Sequence, residues 1–294
     1  MKSISVIILN YKTHDATIRL CDELHRQQNT TVTINYLIVD NASPNDSYAI
    51  LKKELSKYDD VEVILSPENT GYARGNNYGL RYLSKQPPDY VVIANNDIFL
   101  DDECFFDTLV AEYEKLPSDK AITAPKQLDY SGKEFLYSRK IPSFLDDLTD
   151  NTILLRKLIS IKPATAASSA DYDETEIVPG SLLFVSYSLF QGLGFFDEST
   201  FLYCEERFLA NKTKKRKYKN YIINTLCYRH LHAKSISGSY SMLGQFRMLN
   251  REKINYTVKH RSFGRLKAFL LFLTFQSFSC EFLLFSFLKS LFSK

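Results

Sequence analysis

Tyr90-Val91-Val92-Ile93-Ala94-Asn95-Asn96-Asp97 is the stretch that decides the architecture of this chain. An apolar, β-branched run of this length reads as a buried strand, and Asp97 then places a lone carboxylate where that strand ends. Open α/β sheets bind ligands in the crevice outside the carboxyl ends of their strands, so a carboxylate there is a candidate metal ligand. Three earlier segments repeat the design. Ile4 to Leu9 runs into Asn10-Tyr11, Asn35 to Val39 runs into Asp40-Asn41-Ala42-Ser43, and Val61 to Leu65 runs toward Glu68-Asn69-Thr70-Gly71.

Helical patterns separate these strands. His14 to Gln27 carries apolar residues at Ala16, Leu20 and Leu24, and Ser47 to Tyr58 carries them at Ile50, Leu51 and Leu55. Asp101 to Leu116 opens with acidic residues suited to a helix N-terminus. Strand–helix repetition predicts an α/β fold with a mostly parallel sheet and helices on both faces. Gly71, Gly75 and Gly79 are four apart, which fits neither a Rossmann nor a Walker loop. They predict a turn into a helix whose small residues admit a ligand close to the backbone.

With 294 residues the chain can bury the core of one large domain, with or without an appendage. A net charge of +3 argues against a nucleic-acid partner. The five cysteines, Cys21, Cys104, Cys204, Cys227 and Cys280, are dispersed and form no CxxC pair, as expected of reduced thiols. Met1-Lys2-Ser3 leads straight into strand-like alternation, so no secretory leader is expected.

The pattern loosens between Ile141 and Glu176, which holds Pro142, Pro163, the run Ala164 to Ala170 and the acidic cluster Asp171, Asp173 and Glu174. Order returns at Val178-Pro179-Gly180-Ser181 and Leu182-Leu183-Phe184-Val185, followed by Gly194-Phe195-Phe196-Asp197-Glu198 and Phe201-Leu202-Tyr203-Cys204-Glu205-Glu206. Taken alone, each polar site has a structural explanation. Asp97 could cap a helix beginning near Asp101, Asp40 could form an Asx turn with Ser43, Glu205-Glu206 could be a solvated helix start, and His230 or His232 could be structural.

Their joint order and spacing resemble a family 2 glycosyltransferase, an inverting enzyme of the GT-A fold in the rhamnosyltransferase-like branch. The matching pieces are Ile8-Leu9-Asn10-Tyr11, Val39 to Ser43, Asn69 to Asn77, Asn95-Asn96-Asp97 where many relatives carry a DxD-like motif, and a second half ending in an acidic pair. The family pair is Glu-Asp and here it is Glu205-Glu206, one methylene longer at the second position. The resemblance implies a catalytic domain over 1–235, with Glu206 as general base and Glu205 as the acid tuning it. It implies donor contacts from Asn10, Tyr11, Asp40, Asn69, Gly71, Arg74, Asn77, Asn95 and Asn96. Asp40 would accept the imide N–H of a uracil or thymine base, so a UDP- or dTDP-sugar is the expected donor. A divalent cation, Mg²⁺ or Mn²⁺, would be held by Asp97 and by His230, which precedes Ser235 at the family spacing.

The expected acceptor is a hydroxyl of a growing, lipid-linked glycan. Residues 236–294 are expected to form a helical tail lying on the membrane at the cytoplasmic face, because Ala268 to Leu273 and Phe282 to Leu288 are apolar but interrupted by Gln276, Ser277, Ser279 and Glu281. Lys253, Lys259, His260, Arg261 and Arg265 would meet anionic headgroups, and packing of the tail on the domain is the competing reading. The basic run Lys212 to Lys219 is either a solvated face or a site for an anionic partner. A nucleotidyltransferase is a second enzyme reading, although Asn10-Tyr11-Lys12-Thr13 lacks its triphosphate loop. A degenerate subunit that binds membrane and glycan without turnover is the third.

Overall fold

The first four strands form the parallel half of the sheet: β1 (Lys2–Asn10), β2 (Val32–Asp40), β3 (Val61–Leu65) and β4 (Tyr90–Ala94), laid out in the order β3-β2-β1-β4. A computed structural model describes residues 1–151, 170–231 and 241–276. Pro163, most of the Ala164 to Ala170 run, His232, Ser235, Cys280, the 282–288 stretch and the boundary expected at 235 lie outside the described residues.

Beyond β4 the sheet becomes mixed. The strand β5 (Ile98–Phe99), β6 (Lys120–Leu128), β7 (Tyr172–Thr175), β8 (Leu182–Ser186) and β9 (Lys219–His230) complete it. β8 runs antiparallel between β4 and β6, β9 is parallel to β6, and β5 and β7 add antiparallel to β9. The α/β expectation holds, with an all-parallel half where each strand returns through a helix and a mixed half where only β6 and β9 run parallel.

Successive side chains alternate across a strand, so both faces of the central strands are apolar. Ile4, Val6 and Ile8 of β1 join one core with α1 (His14–Leu24), α2 (Ser47–Glu54) and α4 (Phe105–Lys115). Ile7 joins the other with α3 (Gly71–Tyr82), α6 (Tyr187–Gly192) and α7 (Glu205–Lys215). α4 starts at Phe105 rather than Asp101. Asp102 accepts the Cys104 N–H (2.8 Å) and Asp101 pairs with Arg229, so both carboxylates satisfy groups outside the helix.

The glycines of α3 serve packing. A Cβ on Gly71 (φ +82°) would lie 2.1 Å from the Phe201 carbonyl, and Cβ atoms on Gly75 and Gly79 would meet Leu9 and Val39 at 2.7 and 2.9 Å. The helix can therefore lie directly on β1 and β2, which is the close approach the spacing provides.

Past position 235 the chain first continues the domain. α8 (Met242–His260) packs on α7 through Tyr256 and Phe208, whose ring centroids are 5.3 Å apart. The fully buried Asp147 of α5 (Phe144–Asp150) meets Arg207 (2.8 Å), Arg261 (2.7 Å) and Lys253 (3.8 Å). A buried carboxylate requires such cations. Lys253 and Arg261, expected at headgroups, are committed to this cluster, and Lys259 pairs with Asp197. The basic run is likewise absorbed in part. Lys212 donates to the Gly194 and Phe195 carbonyls, Lys214 pairs with Glu176 and Lys219 with Glu174. Asp173, from the acidic cluster, pairs with Arg139.

A last helix over 264–276 turns Ala268 and Leu271 inward and leaves Leu266, Phe269, Leu270, Phe272 and Leu273 exposed. Among the described residues no helix is long and apolar enough to cross a membrane.

Candidate active site

The ends of β1, β2 and β4 are tied together by a buried polar chain. Asp40 Oδ2 accepts from Asn10 Nδ2 (2.7 Å), Asn10 Oδ1 accepts from Thr17 Oγ1 (2.9 Å), and Thr17 Oγ1 accepts from Asn96 Nδ2 (2.9 Å). Ser43 closes the far end by donating its N–H to Asp40 Oδ1 (2.8 Å) and its hydroxyl to Oδ2 (2.9 Å). Asp40 and Asn10 are both 0% exposed. The Asx turn is thus present, and the carboxylate expected at the nucleobase faces Asn10 and Ser43 in this structure. The following residue, Asn41, donates to Asn69 Oδ1 (3.0 Å) and to the Gly71 carbonyl (3.2 Å), while its own Oδ1 is buried without a partner. Tyr11 is half-buried beside this cluster, with Lys12 Nζ 5.0 Å above its ring.

Arg19 was not singled out from the sequence, and it shapes the Asn95-Asn96-Asp97 loop. Its guanidinium donates to the carbonyls of Asn96 (2.8 Å) and Ile98 (2.7 Å) and lies 3.8 Å over Phe99. Ile98 and Phe99 pair with His230 and Arg229, which swings the end of β9 onto the loop. His230 Nε2 then stands 3.0 Å from Asp97 Oδ1, with the two residues 9% and 8% exposed. The pair expected to share a metal, separated by 133 positions, is brought together. A carboxylate beside an imidazole fits a divalent cation that completes its shell with phosphate oxygens and water, and the hard oxygen favours Mg²⁺ or Mn²⁺. Among the described residues no three His, Cys, Asp or Glu side chains converge on a metal position.

Behind the pair runs a network the sequence did not reveal. Gln127 Nε2 lies 3.3 Å from His230 Nδ1, and Gln127 Oε1 accepts from Tyr228 (3.2 Å) and Ser181 (3.3 Å). Its residues sit on β6, β9 and the turn into β8, and only the sheet register unites them.

A cavity of about 430 Å³ opens at this edge, with Asn95, Gln127, Ser181 and His230 on one side and Glu205 and Glu206 on the other. The acidic pair begins α7 after two residues in the left-handed region, Tyr203 (φ 79°) and Cys204 (φ 65°). Non-glycine residues there cost about 1–3 kcal/mol each, a strain that collects at functional sites. It is held by the packing of Cys204, by the Tyr72 N–H on the Phe201 carbonyl (2.7 Å), and by the docking of Phe201 on Gly71. Glu205 is 6% exposed and its Oε1 has no hydrogen-bond partner. Burial, and next the charge of Glu206, push its carboxyl well above the ordinary range. Burial also raises Glu206.

Arg74 and Asn77, expected near the base or phosphates, hold the Phe196–Glu198 turn. Asn77 donates to the Phe196 carbonyl (3.1 Å) and to Glu198 Oε1 (3.0 Å) and accepts the Phe196 N–H (3.0 Å), and Arg74 Nε donates to the Glu198 carbonyl (2.8 Å). The turn supplies partners that a linear reading cannot place.

Comparison with known proteins agrees with this geometry. The family model described as glycosyl transferase family 2 matches residues 5–186. The low-salt glycan biosynthesis hexosyltransferase Agl10 of Haloferax volcanii is 25% identical over 207 residues, covering 70% of this chain and 60% of that protein. The chain thus spans less than two thirds of that curated relative. Among solved structures, the mannosyltransferase PcManGT of Pyrobaculum calidifontis, in complex with GDP-Man and Mn²⁺, superimposes with a TM-score of 0.59 at 14% identity, covering 94% of this chain and 73% of the other. GalNAc-T7 with UDP, GalNAc and Mn²⁺ gives a TM-score of 0.61 at 12% identity, covering 88% and 51%. TarS of S. aureus gives 0.55 at 14% identity, covering 96% and 72%. The fold is therefore GT-A, and with a family match across most of its sheet this chain belongs to glycosyl transferase family 2.

Proposed function

We propose that this glycosyltransferase moves one hexose from a UDP- or dTDP-sugar to a hydroxyl of a lipid-linked glycan, with inversion at the anomeric carbon. The observation that carries the reading is one cleft lined by both carboxylates of the acidic pair and by His230, whose ring stands 3.0 Å from Asp97. An inverting displacement needs a base beside the acceptor hydroxyl and positive charge beside the departing diphosphate, on opposite sides of the sugar.

Glu206 accepts the hydroxyl proton as the acceptor oxygen attacks. Glu205 stays protonated in its buried position, which leaves a single charge on the pair. Asp97 and His230 would hold Mg²⁺ or Mn²⁺, which when bound offsets the charge developing on the leaving diphosphate. Asn95 and Asn96 fix the loop that presents Asp97, and Tyr11, Asn41 and Asn69 border the nucleoside side. Asp40 and Asn10 serve there as the frame that fixes the pocket wall, and Gly71, Arg74 and Asn77 serve as the frame of the acceptor side.

The exposed stripe of Leu266, Phe269, Leu270 and Leu273 supports attachment to the cytoplasmic face of a membrane. These residues recur at helical spacing on one side of the 264–276 helix, as in helices that lie in the interface. Arg265, exposed beside them, is the basic residue still available to headgroups.

The test is to incubate purified protein with a panel of UDP-, dTDP- and GDP-sugars, a lipid-linked acceptor and Mn²⁺. Nucleotide diphosphate release and an inverted product anomer are expected, and release that never depends on acceptor, donor base or metal would sink the reading. Sedimentation with anionic vesicles tests attachment. Each apolar side chain buried in the interface contributes about 1.5–3 kcal/mol, so the Leu266→Ser, Phe269→Ser protein should stay in the supernatant with an unchanged melting temperature.

A further inference from the structure

Gly180 lies on the turn into β8, where the two sides of the cleft meet. A Cβ on this residue would stand 2.4 Å from Glu206 Oε1 and 3.1 Å from its Cδ. The Glu206 carboxylate thus occupies the space that any other residue at 180 would need. The nearby Gly180 N–H counters the rise that burial gives that carboxyl, and the Gly180 carbonyl accepts from the Tyr72 hydroxyl at 2.7 Å. Next along the chain, the Ser181 carbonyl accepts the Asn95 N–H (2.8 Å) and its hydroxyl meets the Tyr228 hydroxyl (2.7 Å). The turn is therefore pinned on both sides and cannot retreat from the carboxylate.

We infer that Gly180 is the positioning residue of Glu206: its missing side chain makes the seat for a base one methylene longer than Asp, and Tyr72 holds the seat. This rests on the reading of Glu206 as the base. Tyr72 comes from α3 in the parallel half of the fold, so its hydroxyl also ties that half to the position of the base.

The consequences separate a seat from a mere packing contact. A methyl group at 180 has to displace the Glu206 carboxylate, and a shift of about 1 Å at a reacting group costs about 10² in rate. It also takes the carboxylate away from the Gly180 N–H that favours its charged form, which moves the carboxyl further up. A shorter side chain at 206 escapes the clash. Seat and base should therefore be strongly non-additive.

The experiment measures kcat, donor KM, the pH dependence of kcat and melting temperature for Gly180→Ala, Tyr72→Phe, Glu206→Asp, Glu206→Gln and the double variant Gly180→Ala, Glu206→Asp. Gly180→Ala should lose about 10² in kcat with donor KM unchanged, and its acid limb should move to higher pH. Tyr72→Phe should lose about 3–10-fold in the same direction, the worth of one hydrogen bond. The double variant should recover at least about tenfold over Gly180→Ala. A folded Gly180→Ala protein with wild-type kcat and acid limb, beside a dead Glu206→Gln, overturns the seat alone, as does a double variant no faster than Gly180→Ala. Should Gly180→Ala not fold, an unchanged kcat and acid limb in Tyr72→Phe overturns it. Wild-type turnover in Glu206→Gln overturns the reading of the base, and the seat with it.

Discussion

Two buried polar regions, one at the strand ends and one at the start of α7, handle their polar groups in opposite ways. At the ends of β1, β2 and β4, Asp40, Asn10, Thr17 and Asn96 form a closed chain in which each buried group is partnered by the next. At the start of α7, Glu205 is as deeply buried but keeps an oxygen without a partner, beside a second carboxylate and after two left-handed residues. The first side is a frame, because a satisfied buried network costs little and admits one geometry. The second stores unfavourable energy where a proton has to move. Polarity alone therefore does not mark the reactive side. What marks it is a buried carboxyl left with an unpartnered oxygen.

Four changes break or sharpen this contrast. The largest effect is expected at Glu206→Gln, which keeps the size and removes the basic lone pairs. The transfer rate should fall by about 10²–10⁴ with donor affinity retained, measured by single-turnover kinetics. In the wild type, burial raises this carboxyl and only its ionised form accepts a proton. Activity should therefore fail, as pH decreases, above the range of an exposed Glu. A fully active Glu206→Gln enzyme would move the chemistry to Glu205.

Next comes Asp97→Asn, on the frame side but at its open edge. It should lower turnover by about 10²-fold and weaken Mn²⁺-dependent donor binding, read by titration calorimetry with and without the metal. The melting temperature of the metal-free protein should hardly move. Full wild-type activity in EDTA would remove the metal role.

Thr17→Val tests the frame as a frame. It removes a hydroxyl that donates to Asn10 Oδ1 and accepts from Asn96 Nδ2; Asn96 Nδ2 keeps Thr13 Oγ1 (2.7 Å), but Asn10 Oδ1 is left buried and unpaired at a cost of about 1–3 kcal/mol. Denaturant unfolding should show that loss. An unchanged midpoint would mean that the chain of bonds is incidental.

Glu205→Gln should give the smallest effect and the opposite sign in stability. A carboxyl raised in the folded state binds its proton more tightly there than when unfolded, so its contribution to stability falls as pH rises from the unfolded value through the folded one. The neutral amide escapes that loss. The variant should melt higher than the wild type above neutral pH, by about 1–2 kcal/mol, and match it in acid. A lower melting point at every pH would show that the carboxylate has a cation partner.

Much of this molecule is written locally. The apolar runs of β1 to β4, the amphipathic patterns of α1 and α2 and the polar residues at strand ends could be read from the chain, because alternation, helical periodicity and burial act over a few neighbouring residues. The order of motifs along the chain was enough to point to the family. The start of α4 could not be read so well, since its acidic residues pair with Cys104 and Arg229 instead of capping it.

What the tertiary structure alone decided is which polar group meets which. It set Asp97 against His230 through the β5–β9 pairing, gave Arg74 and Asn77 to the Phe196–Glu198 turn, and sent Lys253 and Arg261 to the buried Asp147 in place of a lipid surface. It also disclosed Arg19 and Gln127, whose residue types carry no signature, and the contact between Gly180 and Glu206. The sequence determined secondary structure and the inventory of chemical groups through short-range forces. Their partnerships depend on strand register and on burial across positions more than a hundred apart, where one hydrogen bond or charge pair is worth as much as the local preferences that the chain displays.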